Sequence, residues 1–224
     1  MNGGGFPLDL VFWALVAGFL LLRLRAVLGR TDEADLARRE RVKAPVARSG
    51  HREGGGEESG LTPQERAALA HRGLEEMIAA IRRIEPEFSL SRFLEGARAF
   101  YPMVLEAYWA GDRETLRQFL TPEVYEDFVK AIDEREKAGE QIRGRVESID
   151  HITVEDVRVD GAEAEVDLRI VATIAVVTMD REGRILAGDP EQAERVEDLW
   201  TLTRRLGSPD PNWTLAATHS EDDG

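Results

Sequence analysis

Thirteen consecutive residues without a charge, LVFWALVAGFLLL from Leu10 to Leu22, constrain this chain more than any other feature. Such a segment is apolar all round, so it must be buried either in a protein core or in a bilayer. With Phe6–Asp9 and Arg23–Leu28 it supplies about 20 residues, the length a helix needs to cross a hydrocarbon core. Asp9 and the arginines can reach the headgroup level at its ends, and Phe12 and Trp13 suit an interface. A cleaved signal peptide would carry its basic residues ahead of the apolar run. Here Arg23, Arg25 and Arg30 follow it. We therefore expect residues 1–30 to be an uncleaved anchor whose apolar contacts include Leu10, Val11, Phe12, Trp13, Leu20, Leu21 and Leu22. The basic flank predicts an outside N-terminus and a cytoplasmic remainder. A core helix fits less well, because a charged, glycine-rich stretch follows.

That stretch, residues 31–62, has few large apolar side chains and includes GHREGGGEESG from Gly50 to Gly60. It reads as a flexible charged linker. Arg38, Arg39, Arg41 and Lys43 could touch anionic headgroups, although acidic neighbours cancel much of their attraction. Charge divides the chain unevenly. Residues 1–62 carry +1 of the net −14, and the remainder carries −15. So acidic a domain repels phosphate backbones, and no nucleic-acid partner is expected. The absence of cysteine excludes disulfides, iron–sulfur clusters and thiolate zinc sites.

Thr62-Pro63-Gln64-Glu65 carries the signature of a helix start. Leu74, Met77, Ile78 and Ile81 follow at helical spacing, so the pattern predicts one amphipathic connecting helix over 63–88, ending near Ile84 ahead of Pro86. Its stripe is either a membrane or partner surface or simply docks on the domain. A second helix is expected from about Ser91 to Ala110, kinked at Pro102. Asp112 caps a short helix from Arg113 to Leu120, and Thr121-Pro122-Glu123 opens another that Gly139 closes. The period then changes from 3.6 to 2. Arg145–Val159 reads as a strand with a phase shift between Val154 and Val157, implying a bulge. Asp160-Gly161 is a hairpin turn. Beyond it Ala164, Val166, Leu168 and Ile170 alternate with charged residues. Asp180–Gly183 is a second turn, and Glu194–Arg205 and Trp213–Thr218 are the last strands. Helices followed by about four antiparallel strands make an α+β domain over 89–219, with a disordered acidic tail at 220–224. A cone of helices on a curved sheet would enclose an apolar pocket. Its expected lining is Phe100, Val104, Tyr108, Phe128, Leu168, Ile170 and Trp200.

Signs of catalysis are few. No phosphate-cradling loop, HExxH or nucleophile elbow occurs, and no cofactor or metal is expected. His71 with Glu75 or Glu76 on one helix is a weak metal pairing beside the simpler reading of a solvated face. Asp198 shares strand phase with Val196, Trp200 and Leu202, so an inward carboxylate could serve as a base. A structural contact with Arg204 or backbone is the plainer alternative.

An ordered set of segments resembles the C-terminal domain of the Tim-forty-four-like family, the forty-four-kilodalton subunit of the mitochondrial inner-membrane translocase and its bacterial relatives. The set is Phe93-Leu94-Glu95-Gly96-Ala97, Gly111-Asp112 with Leu116 and Leu120, the Pro122–Phe128 helix, AIDEREKAGE from Ala131, the Asp160-Gly161 hairpin, VEDLWTLTRR from Val196 and DPNWTL from Asp210. It covers residues 88–219. The resemblance implies a nuclear-transport-factor-two-like (cystatin-like) fold with a hydrophobic pocket, and a non-catalytic adaptor that contacts incoming polypeptide at an inner membrane. Two departures stand out. This chain has its own span where the mitochondrial subunit is peripheral, and only residues 31–62 stand where that subunit has a long N-terminal segment, which leaves motor recruitment open. Arginine far outnumbers lysine and no transit segment is seen, so a bacterial inner (cytoplasmic) membrane location is expected. The expected partners are the membrane through one span, and protein partners or unfolded polypeptide, with lipid in the pocket as the alternative. A lipid-binding or membrane-scaffolding module is the second reading, and a steroid-isomerase-type enzyme the third.

Overall fold

The computed structural model describes residues 60–71 and 73–220. The Leu10–Leu22 anchor, most of the linker and the tail beyond Ser220 lie outside the described residues. Among those described, no helix is long and apolar enough to cross a membrane.

The first helix starts where the capping signature places it. In α1 (Pro63–Ala67) the Thr62 hydroxyl accepts from the Glu65 amide at 3.2 Å, and the Glu65 carboxylate accepts from the Thr62 amide at 2.8 Å. The single helix predicted from there to Ile84 is interrupted. At residues 68–70 the backbone leaves the helix and pairs with strand β1: the Val154 amide donates to the Ala68 carbonyl at 2.8 Å, and the Ala70 amide to the Val154 carbonyl at 2.9 Å. An open sheet edge offers these groups partners, and Leu69 is buried beside it. The helix resumes as α2 (Leu74–Ile84). Its stripe faces the domain's own sheet: Leu74, Ile78 and Ile81 are fully buried and Met77 half-buried. The stripe offered as a membrane or partner surface is therefore used for internal docking.

Helix α3 (Leu90–Ala110) is capped by Ser89 and terminated by Gly111 in the left-handed conformation. It runs unbroken through Pro102. Helices α4 (Arg113–Phe119) and α5 (Pro122–Ala138) follow, α4 capped by Asp112 and α5 closed by Gly139. The Asp112 carboxyl lies below its ordinary value because it accepts from the Thr115 hydroxyl and amide.

Among the described residues five strands, where about four were expected, make one open antiparallel sheet: β1 (Gln141–Asp160), β2 (Glu163–Met179), β3 (Ile185–Gly188), β4 (Glu194–Arg205) and β5 (Thr214–Ser220). The order is β1-β2-β4-β5, and β3 pairs with the end of β2. Strands β1 and β2 pair along their full lengths. The register slips at Val146/Ser148, Ile149/His151 and Val154/Asp156, two irregularities more than the sequence phase suggests. Each slip bends and twists β1 and so curves the sheet. Ala164, Val166, Leu168 and Ile170 are buried in the alternation read from the sequence.

Candidate functional site

Register defines the face on which the helices lie. Leu168, Ile170 and Ala172 of β2 stand opposite Trp200, Asp198 and Val196 of β4. On the other side they face Val154, Ile152 and Ile149 of β1. Helix α3 crosses this face and fixes itself at three points. Tyr101 packs on Trp200 at 4.8 Å between ring centroids, and its hydroxyl donates to Asp198 Oδ2 at 2.5 Å. Arg98 donates to the Ile149 carbonyl. Trp109 lies against Gly144, where an added Cβ would stand 2.7 Å from the indole.

Four of the seven expected pocket residues meet as aromatic pairs in two groups. Phe100 meets Trp200 edge-on at 6.1 Å and Phe119 at 5.9 Å, and Val104, Leu168 and Ile170 are buried. Tyr108 meets Phe128 at 5.1 Å. Edge-on rings fill space as cores do. Among the described residues, concavities of about 340 and 410 Å3 lie elsewhere, and none of the seven residues lines either. Beyond the aromatic group the same face continues as half-exposed aliphatics: Val146, Ile149, Ile174, Val176 and Val196. The sequence reading missed Tyr101 and Trp109, both buried. Tyr101 follows Ala97 at helical spacing and was legible in principle; Trp109 depends on a glycine 35 residues away.

Asp198 is half-buried on the helix-covered face, as its strand phase implies, and accepts from Tyr101 there. Arg204 instead pairs with Glu85 at 2.9 Å. Burial, and then the Asp198 carboxylate, push the Tyr101 hydroxyl well above its ordinary pKa. Tyr101 therefore remains a proton donor to Asp198 at physiological pH. This arrangement fixes α3 on β4 rather than presenting a free base. His71 is exposed and precedes α2, so the helical spacing behind the His71–Glu75 metal pairing is absent; Glu75 lies 3.9 Å from Arg66. Among the described residues no cluster of acidic or histidine side chains could hold a metal.

The opposite face of the sheet carries a charged cluster across β1, β2 and β4, beside the buried Val171, Ala175 and Val177. Arg158 bonds Asp156, Glu165 and Asp167, and Arg169 bonds Glu155 and Glu197. Five carboxylates against two arginines leave this cluster acidic.

A family model described as the Tim44-like domain matches residues 74–220. The human mitochondrial import inner membrane translocase subunit TIM44 is 24% identical over 132 residues, which cover 58% of this chain and 29% of that protein. The rat protein of the same name is 23% identical over the same length. The chain thus spans less than a third of the length of these relatives. Among solved structures, the intermembrane space region of the chloroplast protein ARC6 aligns with a TM-score of 0.41 and 14% identity, covering 58% of this chain and 94% of that one.

Proposed function

The chain belongs to the Tim44-like domain family, and from that premise we propose that it is a membrane-tethered, non-catalytic adaptor that receives polypeptide at a bacterial inner membrane. The family match over residues 74–220 is the observation that carries this reading. The relatives are named as subunits of an inner-membrane protein import translocase. Residues 1–30 are the proposed anchor and residues 31–62 the proposed tether, with the domain on the cytoplasmic side.

The half-exposed aliphatic row Val146, Ile149, Ile174, Val176 and Val196 is the proposed contact for extended apolar segments. Such a row offers weak, sequence-tolerant contacts, as transient binding of many clients requires. The Tyr101–Asp198 contact argues for an adaptor over an isomerase, because the best base candidate is occupied in holding α3.

The test is site-specific photocrosslinking from position 196 in the intact, membrane-borne chain during a short radioactive pulse. Newly made polypeptides should crosslink within the pulse and disappear during the chase. A probe at exposed Arg158 should give far less. Equal labelling from both positions, or none from position 196, would contradict the proposal.

A further inference from the structure

At the C-terminal ends of α3 and α5 the fold leaves the concavity of about 410 Å3 noted above. In a domain with so large a negative charge, its wall carries three arginines, Arg135, Arg143 and Arg181. Two glycines shape it. Gly139 has φ of +77°, and a Cβ there would overlap the Arg181 side chain, which lies across the bare backbone. Gly144 admits Trp109 in the same way, and that indole forms an apolar wall.

The arginines are under-used by the fold. Among the described residues Arg143 and Arg181 take part in no ion pair or side-chain hydrogen bond. Arg135 donates from Nη2 to the Tyr108 and Trp109 carbonyls at 3.2 and 3.1 Å, answering the end of α3. Its Nη1 is buried without a hydrogen-bond partner. A buried donor left over is uncommon in folded proteins. Two carboxylates border the cavity. Glu136 is held by both terminal nitrogens of Arg113, at 3.2 and 2.9 Å, which leaves Glu140 against three positive charges.

The geometry points to an oxyanion site that takes a phosphate group, with Arg143 and Arg181 as donors at its rim and Arg135 as the charge behind them. Guanidinium forks match phosphate oxygens in pairs, and such charge-assisted bonds are about twice as strong as neutral ones. The volume suits a small ligand. The phosphate belongs either to a soluble small molecule or to a lipid headgroup, and the experiment separates the two. This inference does not depend on the adaptor role.

The intact chain in dodecyl maltoside micelles, which bring no phosphate, is titrated calorimetrically with inorganic phosphate. One saturable site is expected. The double variant Arg143→Gln/Arg181→Gln should raise Kd about ten-fold or more without lowering the phosphate-free unfolding midpoint, because neither side chain bonds within the fold. Arg158→Gln, at the other end of β1, should leave Kd unchanged. The titration is then repeated in micelles containing phosphatidylglycerol. Loss of the phosphate signal there assigns the site to a lipid headgroup, and an unchanged signal assigns it to a soluble phosphate. Absence of saturable binding in plain micelles, or a Kd indifferent to the double variant, would overturn the site.

Discussion

At the scale of single residues, Glu65 does more than the capping pattern requires. One carboxylate oxygen accepts from its own N-cap amide, and the other accepts from the Ser91 amide at 3.1 Å, with Arg82 at 3.6 Å. A buried glutamate thereby holds the starts of two helices. Burial raises its pKa, but the hydrogen bonds from Thr62 and Ser91 outweigh that and leave it below the ordinary value of 4.5. A depressed folded-state pKa gives stability that is present above the unfolded-state pKa and lost as pH falls through the folded one. Glu65→Gln should cost about 2 kcal/mol near neutral pH in denaturant unfolding, and the gap from the native chain should close below pH 4.5. The Thr62–Glu65 half of this arrangement was legible, because a capping box is local in sequence. The Ser91 half was not, because it spans 26 residues. Tyr101 and Asp198 present the same problem across 97 residues. A double-mutant cycle on unfolding, with Tyr101→Phe and Asp198→Leu, should give a coupling of about 2 kcal/mol. Additive effects would remove Asp198 as the anchor of α3.

Among the elements, helix ends were read well because caps and left-handed glycines are short-range signals. The β2 alternation was read well because one face is charged. What failed depended on tertiary pairing. The 63–84 segment has a helical pattern throughout, yet residues 68–70 bond to β1 instead, and nothing local announces that competition. Strand β3 is four residues long and lacks an alternation to detect; Gly188 there has φ of +78° and sits where a Cβ would overlap the Val176 carbonyl. The seating of the C-terminal end of α3 on β1 likewise rests on one bare position, Gly144 under Trp109. Gly144→Val should press Trp109 outward and destabilise the domain by about 2 kcal/mol, with a change in tryptophan fluorescence. Trp109→Ala in the same chain should recover part of that loss by vacating the space. If Gly144→Val is neutral, the contact between α3 and β1 is looser than described.

For the whole molecule, the α+β class followed from the change of period after Gly139. The edge-on ring contacts among the expected pocket residues were not legible, because residue type alone does not give ring geometry. The charge distribution was legible and has a consequence. An acidic domain gains little general attraction from anionic lipid, so the proposed membrane location rests on the proposed anchor, residues 1–30. Alkaline carbonate extraction of the intact chain from cell membranes tests this most directly. The chain should remain in the membrane pellet, and Leu15→Lys/Phe19→Lys should release it to the supernatant. Release of the unaltered chain by carbonate would contradict the tethered account.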